Sequence, residues 1–474
     1  MAAPGEDLFP CPSRETLEKV FVGKRLNDVQ APFAVIDRAV VERNCRQMLE
    51  ACQALGVGFR PHVKTHKTTE VTLLQLGDAV DGAKLVVSTI AEAEHLADYL
   101  HGLSACGKSP NVLYGIPLPP SQIHRLASLR NRIGPYSVSV LVDHPSQLES
   151  GPVFKQATGV PLQVLIKVDL GYHRAGLDYT TKAFDNLIKD VLLLEKSGSV
   201  TLVGFYTHAG QSYVGDSDAA AIRLLIDEIE GLHKAAIQAR RHDHAHGQSQ
   251  PRYILSVGAT PTATSIQNFF PQSQHGSSSE IHGLISKAKD LIQRVKQNFS
   301  LEMHAGVYPF LDMQQLATKA SPSAKLEGTV DQGSRISTTD VALTIMAEVV
   351  SLYSDRETPE ALIAAGSLAL GREPCKSYNG WGIVSDWGMD SEIGGEGRSG
   401  WQVGRISQEH GILTKDSNVD GDPMKLTTGQ KVRIWPNHAC VAGAGFGWYF
   451  IVDSTLAEDR RDEIVDVWVR WRGW

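Results

Sequence analysis

The sequence predicts a (β/α)8 barrel followed by a separate all-β domain. Three observations carry this expectation. Between about residues 33 and 305, short β-branched runs alternate with helical patterns, and eight such runs can be counted. After about residue 320 the helical periodicity stops, and short, turn-rich β segments take over. Trp381, Trp387, Trp401, Trp435 and Trp448, five of the eight tryptophans, fall in the middle of that later part. A doubly wound open sheet is the alternative for the first part, because it also alternates strand and helix.

Taken in order, residues 1–32 form an N-terminal segment expected to pack with the β domain. Residues 33–318 form the barrel unit, and 319–474 the β domain. Residues 37–55 read as a helix, with Asp37 as N-cap and Val40, Val41, Cys45, Met48 and Leu49 on one face. Barrel strands are expected at 57–64, 84–87, 111–114, 137–142, 162–168, 200–206, 252–257 and 300–304. Helical patterns at 90–100, 181–196 and 219–241 lie between them. Two polar stretches, 240–250 and 267–283, read as surface insertions. His242, His244 and His246 alternate in the first and could bind metal, but a solvated loop explains them as well. In the β domain, strands are expected at 341–352, 361–369, 400–407, 431–435, 449–452 and 464–469.

Composition narrows the function classes. Net charge is -7 and the pI is near 6.2, which argues against a nucleic-acid partner. No apolar run reaches the roughly 18 residues a membrane span needs. The first residues, MAAPGEDLFP, lack the pattern of a secretory signal, and Arg-Gly-Trp at the other end is no retention or peroxisomal address, so the expected place is the cytosol. The six cysteines form no C-x-x-C pair and read mostly as buried thiols.

Chemistry concentrates where barrel strands end, the face on which barrel active sites are built. RPHVKTHK (60–67) delivers Lys64 there, beside aromatic and basic groups that can make an amine nucleophilic toward a carbonyl. DLGYHRAG (169–176) brings Arg174, a permanent cation able to stabilise a phenolate beside an imine. YTHAGQSY (206–213) adds rings and hydroxyls after the sixth strand. SVGATPT (256–262) follows the seventh strand, where barrels commonly bind phosphate. Any one of these is weak evidence, since a lysine at a strand end is usually solvated and an S-x-G-x-T turn is usually only a turn. All four in this order are hard to assign to chance.

PNHAC (436–440) stands apart in the β domain. His438 and Cys440 are two residues apart, so on a strand their side chains would share one face. Imidazole and thiolate are a good first pair for zinc, and two ligands leave positions for water and substrate oxygen. An isolated H-x-C is more often a core cysteine beside a capping histidine.

These motifs, together with HAGVYPFLDMQ (304–314), resemble the alanine-racemase-like (fold type III) pyridoxal-phosphate enzymes. Within them the whole chain is similar to the eukaryotic D-serine dehydratases, with D-threonine aldolases as close relatives. The resemblance implies pyridoxal 5'-phosphate and zinc as cofactors, a small D-amino acid substrate and a head-to-tail homodimer. It implies Lys64 as the Schiff-base lysine and Arg174 beside the cofactor phenolic oxygen. His62, Tyr206, His208 and Tyr213 would line the cofactor or substrate, and Gly258, Ala259 and Thr260 would hold the phosphate. It also implies a role for the metal pair: dehydratases carry H-x-C there, aldolases H-x-D, and thiolate selects zinc over magnesium or manganese.

The expected reaction is loss of water from D-serine, giving pyruvate and ammonia. Lys64 would take the Cα proton, and a metal would assist the β-hydroxyl, since metal binding lowers the pKa of water from about 15.7 to about 7. Racemisation needs a second base, and the resemblance puts Tyr308 where racemases of this fold place theirs. Two other readings stay open at this point. One is D-threonine aldolase, cleaving Cα–Cβ to glycine and an aldehyde. The other is a non-catalytic pyridoxal-phosphate-binding barrel, which the long β domain argues against.

Overall fold

The computed structural model describes residues 10–78, 82–242, 252–270, 279–324, 330–389 and 397–474. Its first strand, β1 (Phe33–Asp37), leads into helix Arg38–Leu55. Asp37 caps this helix by accepting the N–H of Ala39 at 3.1 Å, and Gly56 ends it with φ at 61°. Val40, Val41, Cys45 and Met48 are buried along it.

Eight parallel strands follow: β2 (Gly58–Pro61), β3 (Lys84–Val87), β4 (Asn111–Pro117), β5 (Val138–Val142), β6 (Leu162–Lys167), β7 (Val200–Tyr206), β8 (Ile254–Val257) and β9 (Ser300–Ala305). They run in the order β2-β9-β8-β7-β6-β5-β4-β3, and His62 pairing with Val86 draws β2 and β3 together into a nearly closed barrel. β2 is shorter than the run at 57–64. The His62 and Val63 N–H groups still donate to the Ala305 and Val86 carbonyls at 2.9 and 3.2 Å, and the turn of Lys64, Thr65 and His66 then ends the run. Val86, Leu113, Leu141, Leu165 and Tyr206 pack together from neighbouring strands. The buried Arg60 guanidinium is paired with Glu302 at 2.6 Å and with Asn111 at 2.8 Å, so its charge is not left uncompensated.

The remaining strands are β10 (Pro322–Ala324), β11 (Val330–Arg335), β12 (Leu343–Tyr353), β13 (Glu360–Ile363), β14 (Gly382–Ser385), β15 (Arg398–Ile406), β16 (Gly411–Lys415), β17 (Lys431–Pro436), β18 (Trp448–Val452) and β19 (Asp466–Val469). β10 and β11 form a two-stranded ribbon. The others join β1 in a nine-stranded sheet, β13-β16-β15-β14-β17-β12-β1-β18-β19, in which β13 also pairs with β12. Six strands thereby close on themselves.

Several local expectations change. β1 opens the predicted barrel unit in sequence, yet it lies between β12 and β18 in the second sheet. The run at 361–369 is a strand followed by the short helix Ser367–Leu370. The break falls at Gly366, where a Cβ would lie 2.3 Å from the carbonyls of Ser407 and Gln408. Residues 90–100 divide into helices Ile90–Glu94 and Ala97–Ala105. His242 ends helix Asp218–His242 and meets Asp185 at 3.0 Å rather than starting an insertion, while His244 and His246 lie outside the described residues. The second polar stretch ends inside helix Ser279–Lys296. Near the N-terminus, Leu17 of helix Arg14–Phe21 packs with Phe450 and Val467 of the β domain. Among the described residues no helix is long and apolar enough to cross a membrane.

Candidate active site

The C-terminal ends of the barrel strands and the turn after β17 surround one cavity of about 370 Å³. Lys64, His62, Arg174, Tyr206, His208, Tyr213, Ala259, Thr260, His438 and Cys440 all line it. Residues more than 370 positions apart are thus brought together: Thr65 Oγ1, next to Lys64, lies 3.1 Å from Cys440 Sγ. A larger cleft of about 1070 Å³, lined by Arg43, Arg335 and Arg433 among others, contains none of these groups.

Each wall follows from its local sequence. The backbone N–H of Lys64 donates to His62 Nδ1 at 3.4 Å, and His62 Nε2 meets Ser88 Oγ at 3.3 Å. Gly306 faces both, since a Cβ there would lie 3.4 Å from His62 Cβ and 3.7 Å from Lys64 Cε. The loop carrying Arg174 is held by Asp169 Oδ1, which accepts the N–H groups of Gly171, Tyr172 and His173 at 3.0, 3.1 and 3.0 Å. The Arg174 guanidinium lies 5.3 Å over the Tyr172 ring. Tyr206 stacks on His304 at 4.1 Å, and Lys167 Nζ sits 4.6 Å from the same ring. His208 Nδ1 donates to the Gly258 carbonyl at 3.0 Å, which leaves Nε2 as the acceptor of a neutral ring.

Burial pushes His62, His208 and His304 well below the usual histidine range; after burial, Lys64 adds most at His62, Arg174 at His208, and His208 then Lys167 at His304. All three are therefore neutral near pH 7. Burial, then Arg174, lowers Lys167 to about 8.

The turn after β8 departs from expectation at one residue. Gly258 does not line the cavity; its N–H donates to Glu228 Oε1 at 3.1 Å and its carbonyl is taken by His208. The Ala259 N–H is also engaged, by Thr262 Oγ1 at 2.9 Å, while Thr260 Oγ1 accepts from Val307 N–H at 3.3 Å. Gly258 therefore shapes the turn, at φ 144°, and Ala259 and Thr260 present it to the cavity.

The metal pair is not on a strand. β17 ends at Pro436, and His438 is the N-cap of the short helix Ala439–Ala442. The turn still brings the two side chains to one cavity. Burial pulls His438 down, but the Cys440 thiol and the Asp312 carboxylate outweigh it and raise His438 to about 9. Burial likewise pushes Cys440 up, and His438 and Lys64 outweigh it, so the thiol is lowered. A metal ion would take the place of the shared proton. Imidazole plus thiolate, both facing a cavity with open positions, fits zinc. Among the described residues no group of three or more His, Cys, Asp and Glu is arranged to hold a metal. Tyr308 is off the cavity wall: it packs edge-on against Phe59 at 5.4 Å, with Cys45 and Cys52 nearby. It does not face Lys64 as a second base would.

Sequence reading gave no role to Lys167 and Ser88 on the wall or Glu228 behind it, nor to His304, Gly306, Val307, Asp312 and Gln314 within the 304–314 run it singled out. Lys167 and His304 stand at or beside strand C-termini, the one signal that could have found them.

Comparison with known proteins agrees with this fold. Residues 342–452 match the serine dehydratase domain model, and 36–272 the alanine racemase N-terminal domain model. The chain is 36% identical over 470 residues to the D-serine dehydratase of Schizosaccharomyces pombe, covering 98% of this chain and 96% of that protein. It is 31% identical over 471 residues to that of Saccharomyces cerevisiae, covering 96% and 98%. Among solved structures, D-threo-3-hydroxyaspartate dehydratase from Delftia sp. HT23 aligns with TM-score 0.69 at 27% identity, covering 95% of this chain and 100% of that one. That enzyme is also known as a histidine-to-alanine mutant and as a cysteine-to-alanine mutant two residues further on, the latter in a metal-free form.

Proposed function

This chain belongs to the D-serine dehydratase family of lyases, built on the alanine-racemase fold, and we propose that it removes water from D-serine to give pyruvate and ammonia with pyridoxal phosphate and zinc. The observation that carries this reading is the convergence of Lys64 and the His438/Cys440 pair on one cavity of one chain. The cavity suits an aromatic phosphate ester: it offers an amine, a permanent cation, stacked rings and a hydroxyl-bearing turn. Gly306 borders the space beside Lys64, where an added Cβ would come into ordinary contact with Lys64 Cε at 3.7 Å.

Lys64 would hold the cofactor aldehyde, and Arg174 would stand by its phenolic oxygen. Tyr206, His208 and His62 would flank the ring, with Tyr213 near the cofactor or substrate. Ala259 and Thr260 would face the phosphate on the turn that Gly258 shapes. His438 and Cys440 would hold zinc. When bound, the pyridoxal group supplies an electron sink at Cα and the zinc a Lewis acid at the β-hydroxyl.

The chain's own part is proton handling and exclusion of water. Lys64, once its amine is free, takes the Cα proton. The neutral histidines add no charge to a wall that already carries Lys64, Lys167 and Arg174. Cys440, where an aldolase has a carboxylate, supports loss of water over Cα–Cβ cleavage. The proposal extends to a cytosolic homodimer, for which exposed Ile116, Tyr172 and Val214 beside the mouth offer apolar surface.

The test is to follow pyruvate from D-serine with the cofactor-loaded protein, before and after EDTA. Activity is expected to vanish on chelation, to return with zinc, and to be absent in Lys64→Ala. Glycine plus acetaldehyde from D-threonine, without pyruvate from D-serine, would make it an aldolase instead. Preference for 3-hydroxy-D-aspartate over D-serine would keep the reaction and change the substrate.

A further inference from the structure

We propose that Gln314 is a positioning residue that fixes which nitrogen of His438 faces the metal, and that it thereby sets the zinc affinity of the pair. This rests on the metal reading above. Gln314 Nε2 donates to the Pro374 carbonyl at 2.8 Å, an atom that can only accept. The amide oxygen must then be the atom that meets His438 Nδ1, and it does so at 2.6 Å. An amide oxygen cannot donate, so Nδ1 carries the hydrogen. The lone pair of the neutral imidazole is left on Nε2, the nitrogen available to a metal.

The same short segment fixes the backbone of the pair. Gln314 N–H donates to the Asn437 carbonyl at 3.1 Å. Asp312 Oδ2 accepts the N–H of Ala439, the residue between the two ligands, at 2.9 Å, while Oδ1 accepts from Gln315 N–H at 2.9 Å. Asn437 is held in turn, its Nδ2 donating to the carbonyls of Gly380 and Glu373 at 2.7 and 2.9 Å. Asp312 and Gln314 lie at the start of the helix that follows β9, Met313–Thr318. The barrel thus orients ligands carried by the β domain.

The experiment measures zinc affinity of the full-length, cofactor-loaded protein by competition with a chromogenic chelator. Gln314→Leu is expected to weaken zinc about 10- to 100-fold. Gln314→Glu, which still accepts from Nδ1–H, is expected to restore affinity to within a few-fold of wild type. Gln314→Asn, polar but a methylene too short, should behave like the leucine variant and serves if that variant does not fold. Cobalt at saturating concentration should still give its thiolate charge-transfer band in Gln314→Leu, showing the site assembled and only its affinity changed. Unchanged zinc affinity in Gln314→Leu, alongside loss in Cys440→Ala, would overturn the inference and leave the metal reading intact. Failure of wild type to bind zinc would overturn both.

Discussion

Glu228 sits where only its hydrogen bonds can keep a carboxylate. It is 2% exposed, and its Oε1 accepts the N–H groups of Ala209 and Gly258 at 3.0 and 3.1 Å. One oxygen therefore ties the loop that carries His208 to the turn that carries Ala259 and Thr260. Burial raises its pKa from 4.5 to about 7, against the pull of Thr262 and the two N–H groups. Between those values the folded chain holds a proton that the unfolded chain has lost. The stability tied to this group is therefore full at acid pH, falls as pH rises through the window, and stays low above it, by about 3 kcal/mol in all. Glu228→Gln keeps an oxygen acceptor and removes the ionisation. Urea unfolding at pH 5 and pH 8 should show the variant gaining on wild type as pH rises; parallel pH dependence would refute the assignment. Glu228→Leu instead leaves two buried N–H groups without an acceptor, at about 1–3 kcal/mol each.

At the scale of elements, the turn after β8 depends on a missing side chain. Gly258 sits at φ 144°, and a Cβ there would lie 2.2 Å from the His304 carbonyl on β9. Gly258→Ala should force the β8 and β9 ends apart. We expect a loss of about 2 kcal/mol or more of stability, together with weaker retention of pyridoxal phosphate, read by dialysis and cofactor absorbance. A variant that melts and retains cofactor like wild type would show the turn to be tolerant. This glycine was legible in the sequence because it belongs to a strand-turn-helix pattern. The barrel strands were legible for a related reason: buried on both faces, they read as continuous apolar runs. β14 and β16 were not, being short: each holds only two contiguous apolar residues between an initial glycine and a polar end. β1 was read as a unit with the helix after it, but no local pattern says which sheet a strand joins. His438 and Cys440 were expected to share a strand face, whereas a helix start brings them to one cavity. Glu228 was invisible, and Gln314 was seen only as the end of the 304–314 run without a role, since their meaning lies in partners 30 and 124 residues away.

For the whole molecule, the site exists only where the barrel and the β domain meet, and the contacts across that boundary are numerous and buried. Ala342 N–H donates to the Phe310 carbonyl at 2.7 Å, and Trp471 N–H donates to that of Lys67 at 2.7 Å. Tyr449 OH donates to the His66 carbonyl at 3.4 Å. Arg43, on the helix after β1, pairs with Asp340 at 2.9 Å, each side chain 3% exposed. β1 itself crosses over, so the chain enters the β domain before it builds the barrel. Units so interleaved should unfold together. The protein carries its own two probes for this, because all eight tryptophans lie at or after position 381, whereas the cofactor would report on the barrel. Tryptophan fluorescence and cofactor absorbance should give coincident urea transitions. Asp340→Asn leaves the Arg43 guanidinium buried without its counter-charge, at about 3–5 kcal/mol. It should move both transitions to lower urea by the same amount. A shift confined to the tryptophan signal would mean that the β domain comes off a barrel that stands alone. The metal pair would then be a detachable part of the site and not one that the barrel holds in place.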